Sequence, residues 1–212
     1  MRYTVFGATG GTGRQLVQQA LDAGHQVTAV VRDPARLPVP AHERLEVVVA
    51  DVTDPEALRP AVAGRDAVLS ALGAPTNKTA GIASAGTRAI LRALDAEGVR
   101  RLVVVSATPV GPPPPGEGPL YRLVLLPLVR RVFRDVYADL SAMENEIRAA
   151  GADWTVVRPP RLTDGPSTPS YRTAFGGAVP GGHTVSRADV AQAMLALADD
   201  PAAVGQVVGV AT

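Results

Sequence analysis

Residues 3–17 read YTVFGATGGTGRQLV and decide the fold class. The stretch opens with an apolar run at 3–6, continues with glycines at positions 7, 10 and 13, and ends on apolar residues at helical spacing. This order is typical of a strand, a glycine-rich turn and a helix. Such a turn lets backbone N–H groups and the helix N-terminus approach a pyrophosphate without obstruction by Cβ atoms. The stretch therefore predicts a phosphate-binding unit at the start of an α/β fold.

The rest of the chain repeats this alternation of strands and helices. Short apolar runs predict six strands buried on both faces, at 3–6, 26–31, 45–49, 67–71, 102–105 and 154–157, and a further strand after Gly205. Helices are predicted at 13–23, 84–97 and 139–150, each stopped by a glycine, with a short or broken helix at 54–63 and a last helix behind a capping box of Ser186 and Asp189. Because parallel crossovers are right-handed, the pattern indicates one domain over 1–212, a Rossmann-like doubly wound parallel β-sheet with helices on both faces.

Composition narrows the function classes. The 212 residues are 46% hydrophobic and 19% charged, with twenty arginines, one lysine (Lys78), no cysteine and a net charge of +1. The lack of cysteine excludes disulfides, iron–sulfur clusters and a cysteine nucleophile, and no His/Asp/Glu group has the spacing of metal ligands. Near-neutral charge argues against nucleic-acid binding, and the longest strongly apolar run, 123–129, is far shorter than a membrane span of about 20 residues. These features favour a globular cytoplasmic protein.

Arginines stand where the ribose of a bound dinucleotide is expected. Arg32 ends the second predicted strand, at the position where an NAD-specific site places a carboxylate, and Arg36 follows four residues later. A guanidinium suits a 2′-phosphate, so NADPH is preferred over NADH. Two alternatives stay open, since Arg32 could be a solvated strand-end charge and Asp33 could serve a plain ribose. Asp51 could reach the adenine edge or cap the next turn.

These residues, together with Leu72-Gly73, Ser106 and the Arg-Pro-Pro sequence at 158–160, resemble the atypical short-chain dehydrogenase/reductases. More closely, the chain resembles the NmrA-like group around biliverdin reductase B, over residues 2 to about 197. The resemblance implies a single-domain Rossmann enzyme that uses NADPH to reduce flavins and, in relatives, quinones or linear tetrapyrroles. By position, it implies a pyrophosphate site at Gly7, Thr9, Gly10, Gly11, Thr12 and Gly13, a 2′-phosphate site at Arg32 and Arg36, adenine contacts at Asp51 and Val52, a ribose and nicotinamide border at Leu72, Gly73 and Ala74, and nicotinamide contacts at Ser106 and Pro159.

Two departures from the family bear on the chemistry. Ordinary short-chain dehydrogenases use a Tyr-x-x-x-Lys pair, but Tyr137 is followed by Ser141 at the position of that lysine. Relatives of biliverdin reductase B carry a histidine after the double proline, where this chain has Arg161. Carbonyl reduction through the Tyr-Lys pair is therefore excluded, and reduction of tetrapyrroles is not favoured.

Hydride transfer to a flavin or quinone needs orientation and a dry pocket more than a protein acid. Ser106 and Arg161 are the candidate catalytic residues: the serine would bond the carboxamide or the substrate, and the arginine would steady a developing anionic oxygen. Alternatively, Ser106 caps its own loop, and Arg161 pairs with Asp164 or another surface carboxylate.

The stretch 107–136 is predicted to be a proline-rich loop followed by a lid. Residues 120–134 mix leucines and valines with arginines, and Pro127 interrupts the run. A basic amphipathic helix of this kind could lie on a membrane, but a substrate lid or a surface between subunits is the favoured interpretation.

The sequence thus predicts an NADPH-dependent oxidoreductase that passes hydride to a flavin, quinone or similar conjugated acceptor. FMN or FAD would then be a substrate, and the protein would be a monomer or homodimer. The alternative is a non-catalytic redox sensor of NmrA type that binds NADP(H). A Ser–His–Asp hydrolase is disfavoured, because the G-x-S-x-G elbow is missing.

Overall fold

A computed structural model describes residues 1–114, 116–168 and 170–212. The strands are β1 (Arg2–Phe6), β2 (Gln26–Val31), β3 (Leu45–Val49), β4 (Ala67–Ser70), β5 (Arg101–Val105), β6 (Asp153–Arg158), β7 (Arg161–Thr163), β8 (Arg172–Phe175), β9 (Thr184–Ser186) and β10 (Gln206–Ala211). The helices are α1 (Gly11–Asp22), α2 (Pro55–Val62), α3 (Ile82–Glu97), α4 (Leu126–Val132), α5 (Arg134–Ala149) and α6 (Arg187–Ala198). Pro115, part of the predicted proline-rich loop, lies outside the described residues.

The main sheet has eight strands in the order β3-β2-β1-β4-β5-β6-β10-β8. All neighbouring pairs are parallel except β10 and β8. One face packs on α1 and α6, and the other packs on α2, α3 and α5. The predicted Rossmann-like α/β fold with helices on both faces is confirmed, and the strand after Gly205 is β10. The carboxyl ends of β1, β2, β4, β5 and β6 therefore meet at one edge of the sheet.

Two features of the sheet differ from the sequence prediction. The strand β3 is not buried on both faces, because it is the edge strand: Val47 and Val49 expose 39% and 61% of their surface. The short strands β7, β8 and β9 were not anticipated. Antiparallel β8 covers the other edge through pairing with β10, and β7 pairs with β9 outside the main sheet. Edge positions depend on the whole strand order, which periodicity along the chain does not specify.

Several helix ends were predicted correctly and others were not. The stop glycines Gly24 and Gly98 are left-handed, with φ of 84° and 67°, as expected. Gly151 is not such a cap. The helix α5 ends at Ala149, one residue before the predicted end, and the next residue, Ala150, is extended. The helix α5 also starts at Arg134, five residues before the predicted start.

Prolines interrupt the helices less than the sequence suggested. The helix α2 continues through Pro60, which is exposed, and Asp54 caps its first turn. Before Pro127 the chain forms a wider π-helical turn, Tyr121–Leu125, that leads directly into α4. The described residues contain no helix with the length and apolar character needed to cross a membrane.

Candidate functional site

The glycine-rich loop between β1 and α1 is as tight as the sequence predicts. Gly7 has a φ of 75°, and a Cβ there would lie 2.7 Å from the carbonyl oxygen of Ala71 after β4. A Cβ on Gly13 would lie 2.0 Å from the carbonyl oxygen of Gly7. Both glycines are therefore required by close backbone approach inside the loop. The turn is closed by a hydrogen bond of 2.9 Å from the Gly10 N–H to the Gly7 carbonyl.

The start of α1 is suited to an anion. Its N-cap, Gly10, offers no side-chain acceptor, and the first turn contains no acidic residue. The backbone N–H groups of the first turn thus have neither an intrahelical partner nor a carboxylate cap. Thr9 and Gly10 are exposed beside this end. The loop fits the diphosphate of a dinucleotide, because the N–H groups and the helix dipole both favour a negative charge there.

The end of β2 presents the expected arginines. Arg32 and Arg36 are both exposed, and Arg36 is the last residue of a turn of 3₁₀ helix, Pro34–Arg36. The carboxylate of Asp33 accepts a hydrogen bond of 3.0 Å from the Ala35 N–H, so it caps this turn.

Asp51 caps its own turn, as one of the two sequence interpretations proposed. One carboxylate oxygen accepts from the N–H of Thr53 at 2.9 Å and from its hydroxyl at 2.8 Å. These bonds, and more weakly the charge of nearby Arg32, lower the pKa of Asp51. The neighbouring Val52 is buried against α3. The carboxylate of Asp51 therefore lies near Arg32, which is predicted to bind the 2′-phosphate.

Beyond β4 lies an apolar wall. Leu72 and Val52 both pack against α3 at Gly86, where a Cβ would lie 2.7 Å from a methyl carbon of Leu72 and 3.5 Å from one of Val52. Gly73 is exposed and Ala74 is half-buried. The predicted cofactor residues after β1, β2, β3 and β4 thus all lie at the carboxyl edge of the sheet.

The loops after β5 and β6 are joined to each other. The Ser106 N–H donates to the Val157 carbonyl at 2.7 Å, and the Thr108 N–H donates to the Pro159 carbonyl at 2.8 Å. The Thr108 hydroxyl donates to the Arg158 carbonyl at 3.1 Å. These bonds bring together Ser106 and Pro159, the two residues that the resemblance assigns to the nicotinamide.

Ser106 is more enclosed than the sequence suggested. The residue is 5% exposed, and its hydroxyl donates a hydrogen bond of 2.7 Å to Glu144. The proton of this hydroxyl is therefore directed into the protein. Toward a ligand, the Ser106 oxygen can therefore only accept a hydrogen bond.

Glu144 is a residue that the sequence analysis missed. It lies fully buried on α5 and accepts hydrogen bonds from Arg158 Nε at 2.8 Å and from Arg148 at 2.6 Å, as well as from Ser106. Burial by itself raises the pKa of this carboxyl, but the hydrogen bonds from Arg158 and Ser106 outweigh it, and the pKa is lowered. The available signal was its position on the apolar face of α5, four residues after Leu140 and three before Ile147.

Arg161 lies on β7, just beyond the end of β6. Its side chain is exposed, and its N–H donates to the His183 carbonyl at 3.3 Å. The alternative partner suggested for it, Asp164, pairs instead with Arg187 at 2.8 Å. The backbone of Arg161 is thus fixed against β9, and its side chain is exposed.

The predicted lid segment, residues 107–136, is held by contacts within itself and with the rest of the chain. Within the segment, Arg130 donates to the Pro109 carbonyl at 2.9 Å and to the Gly111 carbonyl at 2.6 Å. From outside it, the Asn77 side chain donates to the Val132 carbonyl at 2.7 Å, and His183 lies 3.8 Å from Glu117. The segment also carries a cluster of large apolar side chains that are 41% to 75% exposed, namely Leu120, Leu123, Val124, Leu125, Leu128, Val132 and Phe133.

Tyr137 behaves unlike the tyrosine of a Tyr-Lys pair. It is half-buried at the start of α5, and its ring meets that of Phe133 edge to face at 6.1 Å. Burial first, and nearby Tyr121 second, raise the pKa of Tyr137. A lysine neighbour would lower the pKa instead, so this phenol stays protonated at neutral pH.

Comparison with known proteins agrees with this geometry. Residues 7–201 match a family model described as NAD(P)H-binding. The chain belongs to this NAD(P)H-binding family. This assignment confirms the predicted use of a nicotinamide dinucleotide and the predicted resemblance to NAD(P)-binding reductases.

Individual relatives extend the comparison. A 3-diazoavenalumate denitrifying reductase from a Streptomyces species is 41% identical over 138 residues, which are 57% of this chain and 44% of that protein. The chain thus spans less than half the length of this curated relative. A short-chain dehydrogenase/reductase from Veillonella parvula in complex with NADP has a TM-score of 0.82 at 22% identity, covering 100% of this chain and 94% of that one. The anaerobillin reductase ChuY from Escherichia coli O157:H7 has a TM-score of 0.80 at 22% identity, covering 100% and 97%.

Proposed function

We propose that the protein is an NADPH-dependent reductase that transfers hydride to a flavin, a quinone or a similar conjugated acceptor, without a Tyr-Lys pair. The observation that carries this proposal is the pairing of the polar groups at the ends of β5 and β6. The side chains of Ser106 and Arg158 both donate hydrogen bonds to Glu144. A substrate at this position would meet few free acids or bases, which suits an acceptor that needs none.

The preference for NADPH rests on the end of β2. Arg32 and Arg36 are exposed there, while Asp33 and Asp51 use their carboxylates to cap turns. A guanidinium fork binds phosphate oxygens in a bidentate manner, and a 2′-phosphate gives it two charges to neutralise. The glycine loop and the start of α1 would hold the diphosphate.

On the acceptor side, the chain supplies orientation and exclusion of water. When bound, the reduced nicotinamide supplies the hydride. Ser106, with its proton committed to Glu144, accepts a hydrogen bond from the carboxamide and so fixes the face of the ring. Arg161 stabilises negative charge that develops on the acceptor. The lid segment covers the acceptor with apolar side chains.

The names of two comparison proteins support reduction as the reaction class. The Streptomyces relative is a denitrifying reductase, and ChuY is described as an anaerobillin reductase. The two names refer to different substrates. The present acceptor is accordingly proposed as a class and not as one compound.

The test is steady-state oxidation of NADPH by the purified protein with FMN and a panel of small quinones, and with NADH as the alternative donor. We expect saturable turnover that is faster with NADPH. Arg161→Ala should lower kcat several-fold, whereas Arg172→Ala, an exposed arginine on the edge strand β8, should leave kcat unchanged. Tight NADPH binding with no turnover on any acceptor would refute the reductase and favour the redox sensor.

A further inference from the structure

A side chain from the C-terminal part of the chain reaches the phosphate loop. Arg187 is the first residue of α6, directly after the N-cap Ser186, whose hydroxyl accepts from the Asp189 N–H at 2.9 Å. If Gly11 carried a Cβ, that atom would lie 2.5 Å from Cδ and 2.7 Å from Nε of Arg187. The arginine therefore lies flat across the first residue of α1, and only a residue without a side chain leaves it room.

Gly11 has a different role from the other loop glycines. A Cβ at Gly7 or Gly13 would collide with backbone atoms, whereas a Cβ at Gly11 would collide with the Arg187 side chain alone among its three nearest contacts. At Gly11 the loop leaves room for a side chain from a second element, the helix α6. The close packing of α6 on α1 makes this contact possible.

The position of this cation calls for an anion. The N-terminus of α1 is the positive end of the helix dipole, and a cation there is disfavoured. Asp164 supplies one carboxylate, at 2.8 Å from the guanidinium, but its side chain is 71% exposed, whereas that of Arg187 is 30% exposed. The exposed carboxylate only partly offsets a cation held against the helix end. A diphosphate would satisfy both the helix N–H groups and the guanidinium.

We propose that Arg187 binds the diphosphate of the nicotinamide dinucleotide from the side opposite to the backbone of α1, and that Gly11 is required to admit it. The inference rests on the dinucleotide binding of the family and does not depend on the identity of the acceptor. It gives the C-terminal helix α6 a direct contact with the cofactor, so the diphosphate lies between two helix N-termini.

The first test compares affinities measured by titration calorimetry for Arg187→Ala, Arg187→Lys and the wild type. Charge-assisted hydrogen bonds of this kind correspond to a loss of about 10- to 100-fold in affinity. Arg187→Ala should weaken NADPH and NADH by the same factor, because both contain the diphosphate. Arg187→Lys should lose less, because it keeps the charge but not the fork. Arg88→Ala removes a comparable ion pair, with Glu146 at 2.6 Å between α3 and α5, and should change neither affinity.

A second test addresses the role of Gly11. In the wild type, Gly11→Ala should displace the Arg187 side chain and weaken NADPH binding. In the Arg187→Ala background the collision is absent, so Gly11→Ala should cost much less there. Equal losses in both backgrounds would contradict the proposed role of Gly11.

Three results of the first test would overturn the role of Arg187. Unchanged affinity in Arg187→Ala would exclude a contact with the diphosphate, and a lowered unfolding temperature of the cofactor-free protein would then make the contact packing alone. Tighter binding would mean that Arg187 occupies the diphosphate position and competes with the cofactor. A loss restricted to NADPH would assign Arg187 to the 2′-phosphate. Turnover on any acceptor is not needed for these readouts, so they are separate from a failure of the proposed reductase activity.

Discussion

The carboxyl edge of the sheet contains two regions that differ in where their charged groups lie, at the surface in one and mostly buried in the other. After β1 and β2, the loop N–H groups, Arg32 and Arg36 lie at the surface, with the start of α1 left without a side-chain cap. After β5 and β6, fully buried Glu144 accepts hydrogen bonds from Ser106 and Arg158, and of the predicted site residues there only Arg161 is exposed. The first region can exchange water for a charged ligand. In the second region the polar side chains are already paired, so a ligand there would be recognised mostly by shape and apolar contact.

Under the proposed function, this difference would let one edge hold a charged cofactor beside an acceptor that is bound mainly by apolar contact. Exposed cations and free N–H groups give affinity for phosphates. A buried, mutually satisfied cluster contributes rigidity and leaves no unpaired charge to attract water. The lid segment, which follows β5 in the chain, carries the exposed apolar side chains. Each of the following predictions would weaken the comparison if it failed.

The largest effect is expected in the buried cluster. Glu144→Gln leaves Arg158 without its counter-charge, and breaking a buried pair in this way costs about 3–5 kcal/mol of the free energy of unfolding. Chemical denaturation would measure it. Glu146→Gln, on the same helix but in an exposed pair with Arg88, should change stability by less than about 1 kcal/mol. A loss at Glu144 as small as that at Glu146 would show that the cluster does not fix this region.

The same cluster predicts a dependence on pH. The pKa of Glu144 is lowered in the folded protein from its ordinary value of 4.5. A lowered carboxyl pKa stabilises the fold above the unfolded value, and this contribution is lost as the pH falls through the folded value. Stability of the wild type should therefore decline below about pH 4.5, and Glu144→Gln should decline less steeply over that range.

An intermediate effect is expected at the end of β2. Arg32→Ala should weaken NADPH binding by about 10- to 100-fold, since it removes charge-assisted bonds to the 2′-phosphate, and should barely change NADH. Calorimetry with both cofactors measures the ratio. Arg100→Ala, at the opposite edge of the sheet beside Asp153, is the matched control. Equal losses for NADPH and NADH would remove the 2′-phosphate assignment.

The smallest effect is expected in the lid segment. Arg130→Met removes the hydrogen bonds to the Pro109 and Gly111 carbonyls, each worth about 1 kcal/mol or somewhat more. Amide hydrogen exchange across 107–136 should become several-fold faster. The neighbouring exposed Arg131→Met should leave exchange as it is in the wild type. Similar exchange in both variants would mean that Arg130 does not fasten the segment.

Local patterns in the sequence determined much of this protein. The glycine loop, the central strands, the αL stops at Gly24 and Gly98 and the Ser186–Asp189 cap all follow from residues within a few positions of one another. The arginines after β2 were located because a strand end fixes where the next side chains lie. The family resemblance then assigned the remaining cofactor positions.

Only the tertiary structure decided the contacts between distant parts of the chain. It brought Glu144 on α5 against Ser106 and Arg158, turned the Ser106 proton inward, and laid Arg187 across Gly11. It also made β3 an edge strand and added β8 in the antiparallel direction. Helix and strand periodicity reports which face of an element is buried, but not which element covers it. Partners far apart in sequence are chosen by the packing of the whole fold, and these partners define the chemistry of the site.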